Sequence, residues 1–206
     1  MDDLTDRTTY KNVLQEIPEK GEQALTIKAI LREIAETAFM TLLIFFAVRM
    51  AFQNFRIEGQ SMEANLHDGQ FLIVNKLVFY LHPPERGDVV VFHSPENPRK
   101  DFIKRIIGLP GEEVEIVNGQ VYINGIPLHE TYVHNPAQRS WGPQVVGEFE
   151  YFVLGDNRSN SSDSRSWGML DGNAIIGKAW VSYWPPPYVG PVPHYTYASI
   201  EEIQGD

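Results

Sequence analysis

The stretch VEIVNGQVYING, residues Val114–Gly125, predicts a β-hairpin followed by a second turn. Apolar and polar residues alternate on both sides of Asn118-Gly119, and Asn-Gly is the pair that favours a tight type I′ turn between antiparallel strands. The same pair returns at Asn124-Gly125. The centre of the chain is therefore predicted to be antiparallel β-structure.

Short β-branched and aromatic runs lie on both sides of this hairpin, and Gly, Pro, Asn and Asp separate them. The runs are RIEGQSM, GQFLIVNKLVFY, RGDVVVFHS, DFIKRIIGL, EFEYFVLGD and AIIGKAWVSYW. Their spacing predicts a mainly β fold, with one β-rich domain over residues 56–206. The tail WPPPYVGPVPHYTYASIEEIQGD is too rich in proline for central strands and is predicted to be extended along the surface.

The overall composition excludes several functional classes. A chain of 206 residues with 43% hydrophobic residues fits one globular domain plus a small extra segment. A net charge of −10 argues against a nucleic-acid partner, which requires a basic face. The absence of cysteine excludes disulfides, thiolate metal sites and a cysteine nucleophile.

A candidate membrane anchor precedes the β-rich region. Residues 1–33 are polar and charged and are predicted to be a solvated tail. The uncharged run 37–48 is too short to span a bilayer, but residues 34–55 reach the length of roughly 17–25 residues that a spanning helix needs. Lys28 and Arg32 before the run place the N-terminus in the cytoplasm by the positive-inside tendency. The alternatives are a buried core helix and an amphipathic surface helix.

Ser61, within GQSMEANLHDG, is a candidate nucleophile that needs a base to take its proton. His67 is near in sequence but lies in a predicted turn. Lys104, within FIKRIIGLPG, is flanked by isoleucines, and burial lowers the pKa of a lysine. In a strand Lys104 and Arg105 point to opposite faces, so one is expected inside and the other in water. The alternative is that both are edge-strand charges that discourage aggregation.

A polar segment, GDNRSNSSDSRSWG at residues 155–168, follows an apolar strand. It is either a polar surface loop or a rigid part of a site. Two internal ion pairs are predicted, one between Asp156 and Arg158 and one between Asp163 and Arg165. The hydroxyl of Ser161 is suited to orient a lysine amine. The spacing of the oxygen donors does not match a calcium loop of the EF-hand type, so no metal is expected.

In this order, the apolar segment, GQSMEANLHDG, RGDVVVF, DFIKRIIGLPGE and GDNRSNSSDSRSWG resemble the type I signal peptidases, over roughly residues 30–184. These are membrane-bound Ser-Lys proteases that remove signal peptides from exported proteins. The resemblance implies a β-rich catalytic domain preceded by one transmembrane helix, and no metal or organic cofactor. It implies two kinds of partner, precursor proteins that carry signal peptides and the lipid bilayer, and no nucleic acid.

The resemblance also assigns roles to individual residues. Ser61 corresponds to the nucleophile, Lys104 to the general base, Ser161 to the residue that hydrogen-bonds the lysine amine, Asp163 and Arg165 to a supporting salt bridge, Asp156 and Arg158 to residues that shape the same loop, and Met62 to a residue near the substrate pocket.

Three departures from the family pattern affect these expectations. Gly59 stands where the family often has a serine whose hydroxyl helps to bind the oxyanion, so the second oxyanion donor is open. Residues 63–66 are EANL where the family usually has x-P-T-L, a change expected to loosen the turn. The segment between Lys104 and Gly155 is short, so the accessory β-insertion of larger members is expected to be reduced to a hairpin or two.

The expected function is cleavage of signal peptides by a serine endopeptidase with a Ser-Lys dyad. It is expected in the cytoplasmic (inner) membrane or a thylakoid membrane, as a single-pass protein with the catalytic domain on the extracytoplasmic side. The alternatives are another Ser-Lys peptidase, of the self-cleaving repressor or organelle inner-membrane type, and a membrane-tethered β-domain that binds peptides without cleaving them.

Overall fold

The computed structural model describes residues 20–197, with side chains from residue 26 onward. The chain divides into two compact units, Met1–Val48 and Arg49–Asp206. Residues 1–19 of the predicted tail and residues 198–206 at the C-terminus lie outside the described residues.

A single long helix, α1, occupies Lys20–Ala51. Its segment Thr26–Ala51 is, among the described residues, the one helix long and apolar enough to cross a membrane. At 1.5 Å per residue those 26 residues extend about 39 Å, more than the hydrocarbon core of about 30 Å. The large apolar side chains of this segment are exposed, which argues against a buried core helix.

The bounds of α1 differ from those of the predicted anchor, residues 34–55. The helix begins earlier because the residues before position 34 include Glu, Lys, Ala, Leu and Arg, which are good helix formers. It ends at Ala51 because the next residues pair as a strand, with Phe52 opposite Asn75. Sequence hydrophobicity does not distinguish the end of a spanning helix from the apolar start of a strand.

The strands of the second unit are short, and a small helix interrupts them. They are β1 Phe52–Arg56, β2 Phe71–Asn75, β3 Val89–His93, β4 Asp101–Gly108, β5 Glu113–Val117, β6 Gln120–Ile123, β7 Ile126–Pro127, β8 Trp141–Val145, β9 Glu150–Leu154, α2 Ser164–Trp167, β10 Leu170–Asp171, β11 Ile175–Trp184 and β12 Gly190–Pro191.

Within residues 20–197 the strands form two antiparallel sheets. The larger has the order β1-β2-β11-β3-β4-β9-β10, with β12 paired to β11. The smaller has the order β7-β6-β5-β8 and lies entirely in the segment between Lys104 and Gly155. The mainly β fold predicted from the sequence is confirmed.

The predicted hairpin joins β5 to β6 in the register Val117 opposite Gln120. Asn118 and Gly119 both have positive φ, 49° and 88°, as a type I′ turn requires. Asn124 and Gly125 repeat this conformation before β7.

The core is built around β3, which is buried on both faces. Val89 and Val91 pack into one apolar cluster and Val90 and Phe92 into another, because successive side chains of a strand point to opposite faces. A third cluster, which includes Phe152 of β9 and residues of β5 and β6, packs the smaller sheet against the larger. With β3 on one side and β9 on the other, β4 is a central strand of the larger sheet.

Candidate active site

Ser61 lies at the start of a tight turn between β1 and β2. The N–H groups of Asn65 and Leu66 both donate to the carbonyl of Met62, at 3.1 and 2.9 Å. Met62 and Leu66 are buried in the core cluster that contains Val89. The apolar side of the turn is thus fixed in the core while Ser61 stays partly exposed.

Lys104 reaches Ser61 from the middle of β4. Its Nζ lies 2.7 Å from Ser61 Oγ, which is hydrogen-bond distance, and donates to the carbonyl of Ile103 at 2.9 Å. The side chain is buried, with 4% exposure for the residue, and the ammonium lies 5.4 Å from the ring centre of Phe102. The structure therefore brings together the two residues predicted to form the dyad, which are 43 positions apart in sequence.

Burial lowers the pKa of Lys104 from 10.5 to about 8, because a charged amine is poorly solvated inside the protein. The carboxylates of Asp163 and Asp156 oppose this effect and raise the pKa. At pH 7 an amine with this pKa is neutral in about one molecule in ten. The site therefore holds a lysine that can act as a base near neutral pH.

One expectation about β4 was wrong. Lys104 and Arg105 do point to opposite faces, but both are buried, and Arg105 has no exposed surface. From Ile103 to Gly108 every residue of β4 is buried, because other segments pack on both faces of the sheet: the Ser61 turn meets Lys104, and Tyr132 and Tyr195 cover Arg105. The guanidinium of Arg105 instead makes an ion pair with Asp156, from Nε at 2.9 Å and Nη2 at 2.7 Å.

The polar segment at residues 155–168 contains one of its two predicted ion pairs. Arg165 donates to both carboxylate oxygens of Asp163, at 2.8 and 2.7 Å. Asp163 also caps α2 and accepts from the N–H of Gly155 at 3.1 Å. The buried Asp163 therefore fixes the loop close to the dyad.

The predicted pair between Asp156 and Arg158 is absent from the described residues. Asp156 binds Arg105 instead, and Arg158 makes a forked ion pair with Glu130, from the segment after β7. Asp156 and Arg158 are two residues apart in a turn, and their side chains point in different directions. Each therefore makes its ion pair with a residue from a distant part of the chain. Both still shape the loop, but by tying it to other elements.

Ser161 and Met62 differ from their expected positions. In the part of the chain that the structure describes, the buried Oγ of Ser161 makes no hydrogen bond, and the second bond of Lys104 goes to the carbonyl of Ile103. Met62 is 1% exposed and belongs to the core rather than to the wall of the cleft. Its core position follows from the turn geometry, which turns the residue after Ser61 inward.

A cleft of about 750 Å³ opens in front of the dyad. One wall comes from the segment between β1 and Ser61 and the other from the start of β4; its lining includes Phe55, Gly59, Gln60, Ser61, Asp101, Phe102, Ile103, Lys104, Asn160 and Ser162. The N–H of Gly59 donates to Asp68 at 2.8 Å. Gly59 therefore supplies neither a hydroxyl nor its N–H to an oxyanion.

Several residues that support the site were not predicted. Asn157 holds the Ser61 turn twice, since its N–H donates to the carbonyl of Ser61 at 3.0 Å and its side-chain amide to that of Gln60 at 3.0 Å. Tyr132 and Tyr195 lie over the guanidinium of Arg105, at 4.3 and 4.9 Å. The Gly-Asp-Asn sequence directly after a predicted strand could have indicated a supporting role for Asn157. No sequence pattern indicates such a role for Tyr132 or Tyr195.

The sequence around this site matches a known protein family. The model of the family described as signal peptidase, peptidase S26, matches residues 31–184. The chain belongs to the signal peptidase family. The resemblance inferred from the ordered motifs is thereby confirmed.

Curated signal peptidases are similar over most of their length. Signal peptidase I of Leptolyngbya laminosa is 45% identical over 149 residues, which cover 68% of this chain and 73% of that protein. A Synechocystis protein named probable signal peptidase I-2 is 40% identical, over 77% of this chain and 75% of its own length. Signal peptidase I of Bacillus caldolyticus is 38% identical, over 65% and 80%.

Proposed function

We propose that this protein is a membrane-anchored endopeptidase that cleaves signal peptides from exported precursors with Ser61 as nucleophile and Lys104 as general base. The observation that carries the proposal is the 2.7 Å distance between Ser61 Oγ and the buried amine of Lys104 at the floor of an open cleft. The names of the relatives support the substrate class.

In each step of the proposed reaction, Lys104 accepts or donates one proton. Neutral Lys104 takes the hydroxyl proton of Ser61 as Oγ forms a bond to the scissile carbonyl carbon. The lysine ammonium then gives that proton to the leaving amine as the C–N bond breaks, which leaves an ester on Ser61. Lys104 next takes a proton from water as the water attacks the ester, and returns it to Ser61 Oγ. No group outside the dyad and one water is needed to balance the protons.

The edge of β4 supports binding of an extended substrate. In the described part of the chain, β9 pairs with β4 only from Arg105 onward, so the residues Asp101–Lys104 have one unpaired edge. That edge lies in the wall of the cleft. An extended peptide can pair with it through main-chain hydrogen bonds, which would lead its scissile bond to Ser61.

The helix α1 supports membrane anchoring. Thr26–Ala51 has the length and composition of a span, and Lys28 and Arg32 near its start favour a cytoplasmic N-terminus. The second unit, which follows the span directly, would then lie on the extracytoplasmic side, where signal peptides emerge. A tether of this kind raises the effective concentration of enzyme and substrate at the membrane.

The test is cleavage of a purified exported precursor by the full chain in detergent or lipid. Ser61→Ala and Lys104→Ala should each reduce cleavage by at least about 10³-fold, because each removes one half of the nucleophilic machinery. His67→Ala should cleave like wild type, since His67 pairs with Glu63 rather than with Ser61. Loss of cleavage in the His67 variant alone would contradict a lysine base. A wild-type protein that binds precursor without cutting it would instead indicate a peptide-binding domain.

A further inference from the structure

The turn of Ser61 is tied to the strand of Lys104 through a side chain that the family pattern does not contain. Asn65 stands where the family usually has threonine. Its amide nitrogen donates to the carboxylate of Asp156 at 2.9 Å and to the carbonyl of Tyr132 at 3.0 Å. The loosening expected from the EANL sequence is therefore offset by two hydrogen bonds from Asn65.

Both partners of this amide can only accept. The Asp156 carboxylate already receives two hydrogen bonds from Arg105, and the other partner is a backbone carbonyl. A carboxylate or an apolar group at position 65 would leave two acceptors at this half-buried site without that donor. In this chain the N–H₂ group of Asn65 can donate to both acceptors at once.

These contacts close a ring around the dyad. Arg105 follows Lys104 in β4 and holds Asp156, Asp156 holds Asn65, and Asn65 lies in the turn that begins with Ser61. We propose that Asn65 is a positioning residue, which sets the distance between Ser61 and Lys104 by fixing the Ser61 turn to the Arg105–Asp156 pair. Asn65 does not line the cleft, so it acts on the rate of the chemical step and not on substrate binding.

This inference rests on the proposed Ser61–Lys104 chemistry, and its test has one readout that does not need cleavage. In Asn65→Leu, which keeps the shape of the side chain but has no donor, the amides of Leu66 and Asn157 should exchange with solvent at least about tenfold faster than in wild type. Both amides close the Ser61 turn, through the carbonyls of Met62 and Ser61. Amides in β5 and β6 should exchange at the wild-type rate.

The second readout is the kinetics of precursor cleavage. Asn65→Leu should lower kcat by about 10–100-fold with KM changed less than about twofold, since an error of about 1 Å in the reacting atoms costs about that much. Asn65→Ala should give the same pattern. Asn173→Leu is the matched control, because within residues 20–197 the side-chain amide of Asn173 bonds only to Asp171, two residues away, and the kcat of this variant should not change.

The outcomes separate the two proposals. Unchanged exchange at Leu66 and Asn157, an unchanged kcat, or a loss confined to KM would overturn the positioning role. Faster amide exchange throughout the domain in Asn65→Leu and Asn65→Ala would also overturn the positioning role, because Asn65 would then contribute to the stability of the whole domain. If wild type cleaves no precursor, the proposed function fails, and the exchange data alone decide whether Asn65 fixes the turn.

Discussion

Gly155 lies where the loop of Asp163 passes the backbone of Ser61. A Cβ at this position would lie 2.3 Å from Ser161 Oγ and 2.5 Å from the carbonyl oxygen of Ser61. Both distances are far below van der Waals contact, and the carbonyl belongs to the nucleophile turn itself. The absence of a side chain at Gly155 is therefore a condition for the observed position of Ser61.

We expect Gly155→Ala to lower kcat by about 100-fold and to cost about 1–3 kcal/mol of unfolding free energy, because the added methyl group displaces the Ser61 turn. Precursor cleavage and denaturant unfolding measure the two effects. Gly190→Ala is the control, since a Cβ there meets no atom within 4 Å. Equal kcat values for wild type and Gly155→Ala would show that the turn tolerates displacement.

For single residues, the sequence predicted which side chains belong to the site better than it predicted which residues those side chains contact. Ser61 and Lys104 are recognisable because their motifs follow one another along the chain in the order that the signal peptidase family shows. The partners of Asp156 and Arg158 are not, because Asp156 meets Arg105 from 51 positions away and Arg158 meets Glu130 from 28 positions away. Such pairs depend on which strands become neighbours, which local patterns do not specify.

At the scale of elements, α1 and β4 show the same limit. The hydrophobicity of α1 predicted a span, but its end at Ala51 is set by the pairing of Phe52 with Asn75 in β2. The alternation in β4 predicted opposite faces for Lys104 and Arg105, but the burial of both comes from distant segments packed on those faces, with Ser61 against Lys104 and Tyr132 and Tyr195 against Arg105. Element type is a local property, whereas element ends and burial depend on the sheet.

Two methionines of α1 provide a matched test of the membrane span. Met40 lies near the middle of Thr26–Ala51 and Met50 at its end, and both side chains are exposed in the structure. Met40→Arg should reduce membrane integration, because an arginine at the centre of a span costs about 2.5–3.5 kcal/mol. Met50→Arg should integrate like wild type, since a long side chain near the end reaches the interface. Extraction of membranes with alkaline carbonate measures both; equal retention of the two variants would contradict the span.

At the scale of the whole molecule, a β-domain excludes water from one amine while leaving a cleft open beside it. The central strand β4 carries Lys104 into the core, the turn after β1 brings Ser61 to it, and the loop after β9 fixes both. The order of the motifs along the chain predicted the signal peptidase family, because the resemblance extends over most of the chain. The supporting network of Asn65, Arg105 and Tyr132 emerged only from the three-dimensional contacts.

The proposed mechanism requires Lys104 to lose its charge near neutral pH, because burial penalises the ammonium form. NMR titration of the lysine amines in the full chain, embedded in lipid and assigned by comparison with Lys104→Met, tests it most directly. We expect one amine, missing from that variant, to titrate with a midpoint near pH 8, so that the basic form grows as the pH rises through this value. A Lys104 amine that stays protonated until about pH 10.5, the ordinary value for lysine, would contradict the proposed mechanism.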